Sequence, residues 1–134
     1  KLSQNFLRQP SKKYGIILMM QNMTNYEFGD VVLVPFPFTD QTTTKKRPAI
    51  VVRSADYHLQ RLDLILIGVT SQANPASSFG EMTITNWKNA GLIKPSIIKP
   101  VLTTLDVRLV IKKLGRLEEP DYPTLQNLLK TILG

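Results

Sequence analysis

Two short β-branched runs, Val31–Val34 and Ala49–Val52, stand on either side of a polar, threonine-rich stretch that ends in Arg47-Pro48. Branched side chains pack well on a pleated surface, so both runs are read as strands joined by a long loop. Arg47 then falls at the first position of the second strand, where its side chain projects over an open sheet surface. Pro48 is tolerated there because the first residue of a strand need not donate to the ladder. Pro35 and Pro37 mark the first strand as an edge strand, or as one that ends early. A guanidinium mounted on a strand beside a basic, hydroxyl-rich loop suits a phosphate.

The rest of the chain continues in short units. Ser54–Gln60 is a polar connection. Leu62–Val69 is nearly unbroken Leu, Ile and Val, and its length and Gly68 favour a strand over a buried helix. Thr70–Ser78, with Asn74-Pro75, reads as a loop. In Glu81–Thr85 the apolar Met82 and Ile84 alternate with polar residues, the period of a half-exposed strand. Asn89-Ala90-Gly91 is a turn, and Ile97–Leu105 a strand interrupted by Pro100. Asp106 can cap a short helical turn within Asp106–Lys113, leading into Leu114–Leu117. From Pro120 onward Leu125, Leu128, Leu129 and Ile132 recur at helical spacing, and Pro123 is acceptable in a first turn. Asp121 and Lys130 suit the two poles of that helix, and Gly134 closes it. Five or six short strands with one terminal helix describe a mainly β chain, either a small barrel or an α+β domain.

With 134 residues, 43% of them hydrophobic, the chain is expected to form one domain over residues 25–134. It has no cysteine, which excludes disulfides, zinc–thiolate sites and thiol nucleophiles. No apolar run reaches the ~20 residues that span a bilayer. Gly15–Met20 follows Lys12 and Lys13 in the manner of a short signal segment, but no small-residue cleavage site comes after it. Residues 1–24 are expected to be a basic N-terminal extension, poorly ordered or upstream of a native start at Met19, Met20 or Met23. They hold +4 of the net charge of +7, so the domain itself is only mildly basic.

Few kinds of chemistry are open to this chain. His58 is its only histidine, in a polar loop expected to be exposed, and no ligand spacing accompanies it, so no metal site or cofactor is expected. Ser71, Ser77 and Ser78 lack the glycine framing of a hydrolase nucleophile, and Gly80, Gly91 and Gly115 form no phosphate loop. Arg47 and Thr70 remain. Lys45-Lys46-Arg47 is a basic run that also suits a solvated loop. Thr70-Ser71-Gln72 ends the most apolar strand with two hydroxyls and an amide, either as an ST-turn or as a rigid row of reacting groups. Such a set is adequate for RNA. The 2′-hydroxyl is the nucleophile, an arginine neutralises phosphorane charge, and a hydroxyl orients the phosphate. No efficient general base is visible; the candidate carboxylates are Asp40 and Glu81.

Gly29-Asp30-Val31-Val32, Arg47-Pro48-Ala49-Ile50-Val51-Val52 and Ile67-Gly68-Val69-Thr70-Ser71 resemble, in order and spacing, the MazF/PemK toxins of type II toxin–antitoxin systems. Gly91-Leu92-Ile93-Lys94-Pro95-Ser96, Leu102-Thr103-Thr104-Leu105-Asp106 and Lys112-Lys113-Leu114-Gly115-Arg116-Leu117 extend the likeness from about Phe28 to the C-terminus. The resemblance implies an SH3-like barrel, a homodimer, a cytoplasmic and metal-independent endoribonuclease of single-stranded RNA, and a cognate antitoxin in the RNA groove. It makes Arg47 and Thr70 catalytic. Thr42, Thr44, Lys45, Lys46, Ser71 and Gln72 become substrate-binding, and Lys94, Lys99 and Lys112 are possible extensions of the RNA track. Two other readings stay open: a gyrase-poisoning toxin of the CcdB type, which shares the barrel but acts by binding protein, and an inactive RNA-binding barrel.

Overall fold

The structure, a computed structural model, describes residues 26–36, 45–54 and 62–134. The expectations for residues 1–24 and for Pro37, Asp40, Thr42, Thr44 and His58 lie outside the described residues. Six strands form one antiparallel sheet: Asp30–Phe36 (β1), Lys45–Val51 (β2), Asp63–Ser71 (β3), Met82–Thr83 (β4), Ser96–Asp106 (β5) and Lys112–Arg116 (β6). Their order is β4-β5-β3-β2-β1-β6, curled into a half-barrel, and the helix Asp121–Leu133 (α1) ends the chain. A 3-10 turn, Val107–Leu109, joins β5 to β6, and the Asp106 carboxylate caps it by accepting from Arg108 N, as its sequence position suggests.

Three local expectations change, besides the start of the Thr70–Ser78 loop, whose first two residues belong to β3. β1 is not an edge strand, since β2 and β6 flank it. β6 pairs with Asp30–Leu33 only, so Pro35 sits where that side of β1 is open and its missing N–H removes no bond to β6. Second, β2 begins at Lys45, which makes Arg47 its third residue rather than its first; Pro48 lies opposite Leu33, before β3 joins at Ala49. Third, Pro100 does not interrupt β5. Between the pairs Ile67↔Leu102 and Val69↔Ile98, β3 advances two residues while β5 advances four, and the proline is absorbed in that bulge.

Both faces of the sheet are apolar, which explains the unbroken hydrophobic run of β3. Val31, Ile50, Ile67, Val69 and Ile98 join Leu117 and Leu125 in one cluster, with Leu128, Leu129 and Ile132 of α1 packed against it. Val32, Val34, Phe36, Ala49, Val51, Leu64 and Leu66 form the other. Phe36 is therefore fully buried. Leu92 anchors the segment after the 85–91 turn in the first cluster. That turn lies backbone to backbone on β6. Gly91 has φ +91°, and a side chain on it or on Gly115 would drive into the carbonyls of Leu114 or Ala90. Asp121, buried at the start of α1, accepts from Thr85 N (3.1 Å) and Thr85 Oγ1 (2.8 Å), which ties the helix to the same turn.

Candidate functional site

In the β2–β3 ladder Ala49 faces Gly68, Ile50 faces Ile67 and Val51 faces Leu66. Carried two residues further, that register sets Arg47 across from Thr70. The ladder itself stops at Ala49, since Pro48 has no N–H to offer. A cleft of about 260 Å³ opens there, lined by Lys46, Arg47, Thr70 and Ser71 from the strand ends and by Ile93 and Lys94 from the opposite wall. By strand alternation Arg47 belongs with Ala49 and Val51, and Thr70 with Leu64 and Leu66. Val69 and Leu92 of the first cluster also line the cleft, so the site is the polar end of the packed sheet, a mounting that restricts the side chains more than a loop would.

The facing wall is held by short bonds. Gln72 N donates to Pro95 O (2.9 Å), Ser96 Oγ donates to Lys94 O (2.9 Å), and Ser71 pairs with Ser96 across the sheet. Leu92 is buried, whereas Ile93 is 88% exposed at the rim. The described residues lining the cleft supply three cations, Lys46, Arg47 and Lys94, and no carboxylate. With low-dielectric walls behind them, such a set favours an anion.

The structure brings together four of the sequence-selected residues: Arg47, Thr70, Lys46 and Ser71. Lys45 is exposed opposite Phe36 and is not part of the lining. Gln72 faces a neighbouring hollow, where its amide nitrogen donates to Asn74 O (3.0 Å) and lies 3.4 Å from Pro75 O. Among the three isolated lysines, Lys94 reaches the cleft. Lys99 pairs with Glu81 at 2.7 Å, and Lys112 lies on β6 at the far edge of the sheet. That ion pair engages Glu81, which does not line the cleft. Ile93 and Ser96 carry no local signal that would have selected them; only the β3–β5 pairing brings them to Arg47. Among the described residues no cluster of three or more His, Asp or Glu is placed to hold a metal ion. No helix among them is long and apolar enough to cross a membrane.

With this geometry in hand, residues 27–133 match the family model described as PemK-like, MazF-like toxin of type II toxin-antitoxin system. No curated protein matches the chain. Among solved structures, it is similar to an endoribonuclease in complex with its cognate antitoxin from a mycobacterial species, at 13% identity and a TM-score of 0.63 over 80% of this chain and 93% of that one. The Mycobacterium tuberculosis toxin MazF-mt6 gives 16% identity and 0.60, covering 78% and 95%. MazE–MazF from Deinococcus radiodurans gives 21% and 0.58, covering 83% and 97%. At these identities the likeness is one of fold.

Proposed function

The chain belongs to the PemK-like, MazF-like toxins of type II toxin–antitoxin systems, and from that premise we propose that it is a metal-independent endoribonuclease acting on single-stranded RNA. The observation that carries this reading is the meeting of Arg47 and Thr70 in a cleft whose described lining holds three cations and no carboxylate. A phosphodiester placed there keeps its own nucleophile, the 2′-hydroxyl of the preceding ribose. As the 2′-oxygen attacks phosphorus, charge builds on the non-bridging oxygens, and the Arg47 fork donates to them. The Thr70 hydroxyl orients one of those oxygens, while Lys46 and Lys94 hold neighbouring phosphates. The bond to the 5′-oxygen then breaks; the proton given up by the 2′-hydroxyl passes to solvent water and the 5′-oxygen takes one from it, leaving a 2′,3′-cyclic phosphate and a free 5′-hydroxyl. Glu81, paired with Lys99 and outside the lining of the cleft, is not placed to act as the base.

In this reading the antitoxin is an acidic segment that occupies the same cationic cleft. A homodimer would cover Leu62, Leu109 and Ile111, which are 45%, 53% and 46% exposed around the 3-10 turn. The test of the central proposal is incubation with a long unstructured RNA in EDTA, beside Arg47→Ala. Discrete fragments with cyclic-phosphate ends are expected from the wild type alone. Intact RNA in both, repeated on a second RNA of different sequence, would favour a toxin that only binds.

A further inference from the structure

Beside the cleft lies a second hollow of about 170 Å³, bounded by Gln72, Asn74, Pro75, Thr83, Trp87 and Ser96. Ser96 lines both cavities, and the Ser71–Gln72 and Pro95–Ser96 backbone forms the wall between them. The chemistry changes across that wall. The cleft is cationic; the hollow has no charged residue among its described lining, and offers an indole, two side-chain amides and hydroxyls. Phosphate and base make the same pair of demands on a protein, one for positive charge and one for a flat apolar surface with neutral hydrogen-bonding groups. We infer that this hollow is a nucleobase subsite, holding the base of a nucleotide next to the phosphate bound at Arg47; the inference rests on the nuclease reading above.

The groups are disposed for that task. Trp87, partly buried against the first cluster and with Lys88 Nζ 5.8 Å from its ring centroid, is held in place where it lines the hollow and offers it an aromatic surface. Neither the Trp87 indole N–H nor the Asn74 side-chain amide has a hydrogen bond among the described residues, so both are available to a ligand. The loop that carries Asn74 is braced from within: Gln72 Nε2 donates to Asn74 O at 3.0 Å, and Ala76 N donates to Thr83 Oγ1 at 2.9 Å. Thr85 Oγ1 is engaged with Asp121 and holds the floor rather than the ligand. Asn74 is thus the base-reading group and Trp87 the stacking surface.

Trp87 is the single tryptophan of the chain, so tryptophan emission reports on this hollow alone. The experiment titrates the protein with single-stranded deoxyoligonucleotides of each base, which lack the 2′-hydroxyl and cannot be cut, and with an abasic strand of equal length. Saturable quenching is expected from the base-bearing strands and not from the abasic one. Asn74→Ala, an exposed loop change, is expected to alter the ranking of the bases by about fivefold, the value of one ordinary hydrogen bond. Equal quenching by the abasic strand, in a preparation that cleaves RNA, overturns the subsite and leaves the nuclease reading intact. Quenching by bases in a preparation that cleaves no RNA supports the subsite and removes the nuclease reading.

Discussion

Replacing Asp121 with alanine tests how the cleft's outer wall is held in place. The carboxylate is 3% exposed and accepts from Thr85 N at 3.1 Å and Thr85 Oγ1 at 2.8 Å. Hydrogen bonds to a charged group contribute about 1.5–3 kcal/mol each, and the substitution also leaves a partly buried Thr85 N–H without its acceptor. A negative charge in the first turn of a helix adds about 0.3–1 kcal/mol. Relief from burying the carboxylate offsets part of this, and the two bonds share one acceptor group, so the net loss is set at about 3 kcal/mol. Against a typical 5–15 kcal/mol for a whole domain, that is a large fraction. Thr85→Val removes only the hydroxyl bond and is expected to cost about 1.5 kcal/mol, the low end of that range. Urea unfolding of both single variants and the double variant, with unchanged m-values, measures each term and a coupling of about 1 kcal/mol. If Asp121→Ala stays within about 0.5 kcal/mol of wild type, or if the two changes add independently, the assigned role is wrong.

Three further outcomes follow from the geometry. Binding of an uncleavable deoxyoligonucleotide should weaken with salt at a log–log slope near −2 for the three cations of the cleft, and Lys94→Ala should reduce that slope by about 0.7, read by anisotropy. Gly115→Ala must push β6 off the Ala90 carbonyl; a loss of about 1–3 kcal/mol in denaturation is expected, with reduced cleavage because residues 92–94 follow the same turn. Asp106 is held down to about 2 by its hydrogen bonds to the Arg108 guanidinium and backbone N–H. A carboxylate whose folded value is depressed contributes its stability above the ordinary aspartate range and loses it as pH falls through about 2. A carboxyl NMR titration should show that low midpoint, and Arg108→Ala should return it toward the ordinary range.

Much of the architecture is written in short-range pattern. The β-branched runs around Val31 and Ile50, the apolar stretch through Leu66, the Asp106 cap and the Leu125–Leu129–Ile132 repeat each formed the element their local chemistry favours. Arg47 and Thr70 were legible for the same reason: each is a polar residue placed where a strand's apolar row ends. Proline was misread at Pro35 and Pro100 because its effect depends on which neighbour it faces. A missing N–H matters only where a partner strand is present, and a bulge can absorb the rest.

By itself the sequence determined the mainly β class and the terminal helix, since these follow from side-chain periodicity along neighbouring positions; it offered Arg47 and Thr70 only as candidates, whose roles came from the family resemblance. Only the tertiary structure decided that β1 is flanked by β2 and β6, that Glu81 is tied to Lys99, that Lys94 shares the cleft with Arg47 and that Trp87 lines a neutral hollow beside the cationic cleft. Those facts depend on the β3–β5 pairing and on the docking of the 85–91 turn against β6 and α1. Contacts of that kind are selected by the closing of a whole core, in which residues far apart in the chain must meet together, and no local window of sequence contains them.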